Sequence, residues 1–108
     1  MGEHEGLPFD EILDAMSHVR RRELLFALLA KNPRDPASLI DAEDESEREV
    51  MEFLVQMRHV HLPKLEEYGI IQWDREGEEV VKGPKFDEIR PLLELLRNHE
   101  GELPGGWL

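Results

Sequence analysis

Apolar and polar positions alternate along this chain with a period that changes from segment to segment, and each change marks an element. Phe9, Ile12, Leu13 and Met16 recur at helical spacing and predict a short amphipathic helix. Ser17 is the expected N-cap of a second helix running to about Lys31. In it Leu24, Leu25, Phe26, Leu28 and Leu29 point in nearly every direction, the pattern of a central, buried helix. Asn32-Pro33 ends it, because proline does not continue a helix. Asp35-Pro36 then reads as a cap and first-turn proline opening a short helix through about Ala42.

Glu43-Asp44-Glu45 is a solvated connection, and Ser46 starts a long helical pattern. On a uniform helical wheel Val50, Phe53, Leu54, Met57, Val60, His61, Leu65 and Tyr68 share one broad face. Pro63 removes the hydrogen bond to the carbonyl of His59 and predicts a kink or break. Gly69 supplies the stop. Two β-prone runs, Ile70 to Trp73 and Glu78 to Lys82, flank Asp74-Arg75-Glu76-Gly77 and read as a hairpin, closed by Gly83-Pro84. Phe86, Ile89, Leu92, Leu93, Leu95 and Leu96 mark a last helix over 86–99, with Pro91 at its first turn or at a kink. The expected fold is mainly α with a small β-hairpin, an α+β class, in a single domain. Its core spans about 9–97, with tails at 1–8 and 100–108.

Composition narrows the chemistry. The 108 residues carry 25 acidic and 13 basic side chains, a net charge of −12, yet 40% are hydrophobic, enough to fold. The absence of cysteine excludes disulfides, Cys-zinc sites and Cys nucleophiles. The longest apolar run, Leu24 to Ala30, is far short of the roughly 20 residues of a membrane span. The acidic N-terminus lacks the regions of a signal peptide, so a soluble, cytoplasmic protein with no membrane partner is expected. Many Glu, few Lys and no Cys suggest a halophile. In molar salt the Debye length falls to about 3 Å and self-repulsion is largely screened. The rival reading is an acidic mesophilic protein that binds basic partners. The charge is uneven: Arg20, Arg21, Arg22, Lys31 and Arg34 against Glu23 form one basic island, and Arg58 with Lys64 forms a second that holds no acid.

Three segments resemble the ArsR-like regulators, a winged helix-turn-helix family whose element order this chain also follows. Arg21-Arg22-Glu23-Leu24-Leu25-Phe26-Ala27-Leu28-Leu29 resembles their R-x-x-I-L-x-x-L helix. The stretch His61-Leu62-Pro63-Lys64-Leu65-Glu66-Glu67-Tyr68-Gly69-Ile70-Ile71 resembles the H-L-x-x-L-x-x-x-G-L-V end of their recognition helix. Asp74-Arg75-Glu76-Gly77 sits where their wing turns. The form His59-Val60-His61-Leu62-Pro63-Lys64-Leu65 is similar to a haloarchaeal branch, mostly domains of unknown function. The resemblance covers about residues 9–97. It implies that the 36–42 helix and the helix from about 46 form the helix-turn-helix, that the second enters a major groove of double-stranded DNA, and that the hairpin is the wing. It also implies a homodimer through terminal helices. The chain departs from the pattern in the acidic connection (Glu43, Asp44, Glu45, Glu47, Glu49) and in a wing tip whose only base is Arg75.

The expected DNA contacts are Gln56, Arg58, His59, Lys64 and Arg75. Arginine forks to guanine, glutamine reads adenine and lysine neutralises phosphate. The competing reading is a solvated face paired to Glu52, Glu66 and Glu67. Arg20, Arg21 and Arg22 open a helix, where cations oppose the macrodipole. They either hold an anion or phosphate at the helix N-terminus or pair with Asp10, Glu11 and Asp14, the latter being favoured. His59 and His61 diverge on a helix, and with His4, His18 and His99 they give no expected metal site; His61 reads as a hydrogen-bonded core histidine. Met51, Val55 and Leu62 form a second apolar stripe that packs on the first helix or on a partner. Leu92, Leu95, Leu96, Trp107 and Leu108 complete the core or build a dimer interface. No glycine-rich phosphate loop is present, Ser17, Ser38 and Ser46 sit in capping or loop contexts, and no cofactor or enzyme activity is expected. The expected function is a DNA-binding transcriptional regulator; the alternative is a winged-helix module that binds protein partners and not DNA.

Overall fold

The computed structural model describes residues 6–108. Helix α1 (Phe9–Ala15) leads into α2 (Val19–Ala30). A 3-10 turn (Pro36–Leu39) precedes α3 (Glu47–Gln56), a π-helical turn (Met57–His61) and α4 (Leu62–Glu67). Strands β1 (Ile71–Asp74) and β2 (Glu79–Lys82) form the antiparallel hairpin, and α5 (Phe86–Asn98) follows. The mainly helical layout with one hairpin is that of a winged helix. Between α2 and the turn, Arg34 exchanges both backbone hydrogen bonds with Val80. A one-residue third strand thus ties the hairpin to the end of α2, where Arg34 Nε also donates to the Ala27 carbonyl.

Local chemistry explains most boundaries. Asp35 accepts from the Ala37 N–H and Ser46 from the Glu49 N–H, so both caps form as expected. The cap of α2 is His18, whose Nδ1 accepts from the Arg20 N–H. Ser17 instead donates to the Asp14 carbonyl and closes α1. The Asp35-Pro36 helix stops at Leu39, short of Ala42. Gly69 stops α4 in the left-handed region, at φ 78°. Pro91 lies inside α5 rather than in its first turn.

Pro63 does not end the helical segment; the irregularity expected from it takes the form of a π turn. Its ring would collide with the carbonyl four residues back, so the chain widens into a π turn just before it. The Leu62 N–H reaches back five residues to the Met57 carbonyl, and the backbone stays helical throughout. One residue is thereby inserted into the helical phase. Leu62, expected in a second apolar stripe that packs on the first helix or on a partner, lies in the core at 1% exposure, whereas Val60, expected on the main apolar face, is 43% exposed.

The core gathers around α2, as its all-round apolar pattern requires. Leu24, Leu25, Phe26 and Leu28 are buried against Ile12 and Met16 of α1, and against Phe53, Met57, Leu62 and Leu65 of the long helical segment. Ile70, Ile71 and Val80 enter from the hairpin, with Phe86, Ile89 and Leu93 from α5. The 100–108 segment is not a free tail: Trp107 stands edge-on to Phe26 at 5.3 Å between centroids. On α1 the apolar face is only half used, because Phe9 and Leu13 remain exposed.

Gly83 marks the tightest backbone approach at the end of the hairpin. A Cβ there would stand 2.5 Å from the Gly69 carbonyl oxygen and 2.8 Å from the Ile71 nitrogen, atoms that cannot move aside cheaply. Gly83→Ala should therefore lose about 2 kcal/mol or more in urea unfolding. Gly101→Ala, with nothing within 4 Å of its Cβ, should change stability little.

Candidate nucleic-acid interface

The long helical segment and the hairpin meet along one side of the molecule, and the π turn aims Arg58 across the gap. Arg58 Nη1 lies 3.3 Å from Glu78 Oε1 on the wing. Arg75, at the wing tip, stacks over the Trp73 ring at 4.3 Å and donates to Glu66 Oε1 at 3.1 Å. The other Glu66 oxygen accepts the Trp73 N–H, so this carboxylate fastens the wing to α4. Between them runs a cleft lined by Met51, Leu54, Val55, Arg58, His59, Trp73 and Arg75. No carboxylate is part of that lining.

The expected contact residues do not all converge there. Arg58, His59 and Arg75 do. Lys64 is turned away: Nζ pairs with Asp14 at 2.8 Å and sits over the Tyr68 ring. Tyr68 also donates to Asp14. These two bonds hold the Asp14 carboxyl below the usual carboxylate range, and the carboxylate in turn raises Lys64 and Tyr68. Gln56 faces a different cleft, walled by Glu45, Glu49 and Glu52 with His18, Arg20 and His61. The partners anticipated for the exposed face were Glu52, Glu66 and Glu67; of these Glu66 takes Arg75, and Arg48 takes Glu52. The partner of Arg58, Glu78, came from the wing and gave no local signal.

The arginine triplet is engaged by partners within the chain. Arg20 pairs with Glu23 at 3.1 Å and lies over Phe53 at 4.8 Å. Arg22 donates to the carbonyls of Met16, Gly106 and Trp107 and so fastens the C-terminal segment to α1 and α2. Arg21 is buried at 5% exposure. Its Nε donates to the Ala15 carbonyl, and its Nη2 to the Asp14 carbonyl and Ser17 Oγ. Its Nη1 reaches His61 Nδ1 at 3.1 Å. The expected carboxylate partners Asp10, Glu11 and Asp14 are replaced by backbone carbonyls, whose density at a helix C-terminus suits a cation.

His61 is the buried, hydrogen-bonded histidine expected. Since a guanidinium only donates, Nδ1 must accept, and His61 is neutral with its proton on Nε2. Burial, then the neighbouring His18 and the Arg21 and Arg20 charges, lower its pKa to about 4. His18, 4.3 Å away ring to ring, is also lowered, by burial and then by the Arg21, Arg22 and Arg20 charges. His59 is exposed while His61 is buried, and among the described residues no group of His, Asp and Glu is placed to hold a metal ion. His4 lies outside the described residues.

Of the proposed partner stripe, Met51 and Val55 are exposed at 60% and 46%, and Leu62 is core, as the π turn dictates. Leu92, Leu96 and Trp107 are half-buried against the core, whereas Leu95 and Leu108 are exposed. No helix among the described residues is long and apolar enough to cross a membrane.

The chain belongs to the family described as Domain of unknown function DUF7344. That family's model matches residues 13–81, from within α1 to within β2. The match therefore contains Arg21, His61, the π turn and the whole cleft of this DUF7344 domain. No curated protein and no solved structure matches the chain.

Neutral His61 makes stability pH-dependent. Unfolded histidine titrates near 6.5 and the folded one near 4, so between those values the unfolded state binds more protons. Stability should fall as pH drops from about 6.5 to about 4, by at most about 3 kcal/mol from this group. Urea unfolding at pH 7 and pH 4.5 should show a smaller pH effect in His61→Gln than in the native chain.

Proposed function

We propose that this DUF7344 domain is a DNA-binding transcriptional regulator of winged-helix type, related in design to the ArsR-like proteins, and that it acts as a homodimer. The observation that carries this reading is the cleft between the π turn and the wing, where Arg58, His59 and Arg75 converge at the surface, the two arginines held only by exposed bridges to Glu78 and Glu66. The helical segment through Arg58 and His59 would lie in the major groove, Arg58 reading guanine, while Arg75 on the wing would reach phosphate. Lys64, paired with Asp14, and Gln56, on the acidic-walled cleft, lie away from this surface.

The ion pairs of Arg58 and Arg75 do not oppose this role. Pairs this exposed are worth about 0–1 kcal/mol and exchange readily. When Arg58 leaves Glu78 for a phosphate, the phosphate sheds a cation and the freed carboxylate takes one up. The counterion release that makes DNA binding fall with salt is then largely cancelled. Such a domain, with 25 acidic residues, suits molar salt of the kind a halophile maintains. For the dimer, Leu95 and Leu108 are exposed beside half-buried Leu92, Leu96 and Trp107, and Phe9 and Leu13 on α1 add apolar surface.

A second reading has its own observation. Met51 and Val55 place exposed apolar surface in the same cleft, which fits an acidic, amphipathic protein segment in place of DNA.

A DNA-binding selection in about 2 M KCl should yield a preferred sequence, with Arg58→Glu weakening it at least tenfold. Between 0.2 and 2 M KCl the affinity should change far less than the usual steep loss. No preferred sequence, and no effect of Arg58→Glu, would refute the reading and favour the protein-partner one. Sedimentation should give twice the 12.6 kDa monomer mass, reduced toward the monomer by Leu95→Glu.

A further inference from the structure

Behind the cleft, between the Pro36–Leu39 turn, the long helical segment and the wing, lies a cavity of about 100 Å³. Pro36, Ala37, Leu54, Met57, Leu62 and Trp73 form its apolar walls. Asp35, Arg58 and Glu78 complete the lining. Pro36, Met57 and Leu62 are buried, whereas Arg58 and Glu78 are exposed and paired with each other. The charged pair therefore stands at the mouth and the apolar surface lies behind it.

We infer that this cavity is a binding site for a small, uncharged aromatic molecule, of one ring or a fused pair. Size is the first argument. Apolar cavities of roughly 150 Å³ stay dry and accept benzene. A single ring needs little more room than is present, and a fused pair needs one wall to yield. Met57 is that wall, since a thioether chain with three rotatable bonds refits more easily than a branched one.

The lining chemistry selects the ligand's charge. Asp35 and Glu78 outnumber Arg58 at the mouth, and an anion entering the pocket would have to bury its charge against the same apolar walls. A cation would have to bury its charge against Leu54, Met57 and Leu62. A neutral ring suffers neither penalty, and Trp73 offers an aromatic partner, with Arg75 stacked on its ring. The mouth itself is built with care. Glu78 adopts φ 53°, in the left-handed region that glycine tolerates best, yet a glutamate stands there and spans to Arg58.

The position also gives the site a consequence. Leu54, Arg58 and Trp73 line the cavity on one side and the solvent cleft on the other. An occupant that moves any of them reshapes the cleft. That this would alter DNA binding rests on the function proposed above; that the ring binds does not.

The test is a titration of the 15N-labelled chain with unlabelled indole, followed by NMR. The side-chain N–H of Trp73 and the amides of Met57 and Arg58 should shift saturably, with a Kd of about 0.1–1 mM, while Trp107 stays in place. Leu54→Phe, which fills the cavity from the helix, and Ala37→Met, which fills it from the turn, should each weaken binding at least tenfold; if one fails to fold, the other carries the test. Benzoate should bind at least tenfold more weakly than indole. No saturable shift at Trp73 up to about 5 mM indole, or equal binding by a folded filled variant, overturns the inference. Loss of DNA binding with retained indole binding would refute only the regulator reading.

Discussion

A guanidinium buried in the middle of this domain must have its donors satisfied, and the arrangement that satisfies them fixes the relation of three helical segments. Arg21 spends its hydrogen bonds on the carbonyl end of α1, on Ser17 and on His61 of the π turn. Arginine remains protonated under any condition in which the protein folds, so the charge cannot be avoided by titration. Burial lowers its pKa and the nearby Asp14 carboxylate partly restores it. A buried charge deprived of a partner is among the costlier defects a fold can carry. The demand propagates: α1 must end against α2, and the long helical segment must present an unprotonated imidazole at one place. That requirement keeps His61 neutral and so makes acid a destabilising condition.

The π turn meets this requirement and meets a second one as well. Pro63 cannot take its place in a regular α-helix at this point without a collision, and the widened turn removes it. The inserted residue then rotates everything after it relative to everything before it. Leu62 turns inward beside His61, Val60 turns out, and Arg58 is left facing the wing. One local irregularity therefore supplies the acceptor for the buried cation, a wall of the core and the base that spans the cleft.

What could be read from the sequence was what is encoded locally. The caps at Asp35 and Ser46, the stop at Gly69, the hairpin and the central α2 all declare themselves within a few residues. The fates of Arg20, Arg21 and Arg22 do not. Adjacent on a helix, they point about 100° apart, and only the packing of α1, the π turn and the C-terminal segment decides that one is surface, one core and one a clasp. A uniform helical wheel likewise misplaced Val60 and set Leu62 apart from the main apolar face, because no residue announces a change of helical phase except, indirectly, Pro63. The pairing of Arg58 with Glu78 and the half-strand at Arg34 join parts of the chain far apart in sequence, and leave no periodic trace.

The acidity of the chain acquires a different meaning once the basic residues are placed. The four arginines of the first basic island are engaged internally: Arg20 by Glu23, Arg21 by the core, Arg22 by the C-terminal segment, and Arg34 by the Ala27 carbonyl at the end of α2. In the second, Lys64 is committed to Asp14. At the cleft itself two surface bridges are exchangeable, Arg58 to Glu78 and Arg75 to Glu66. Both join the wing to the helical segment, so releasing either arginine to another anion also loosens the wing. Under the proposed function, recognition at this cleft would be coupled to the seating of the wing, and the cavity behind Arg58 lies between the two.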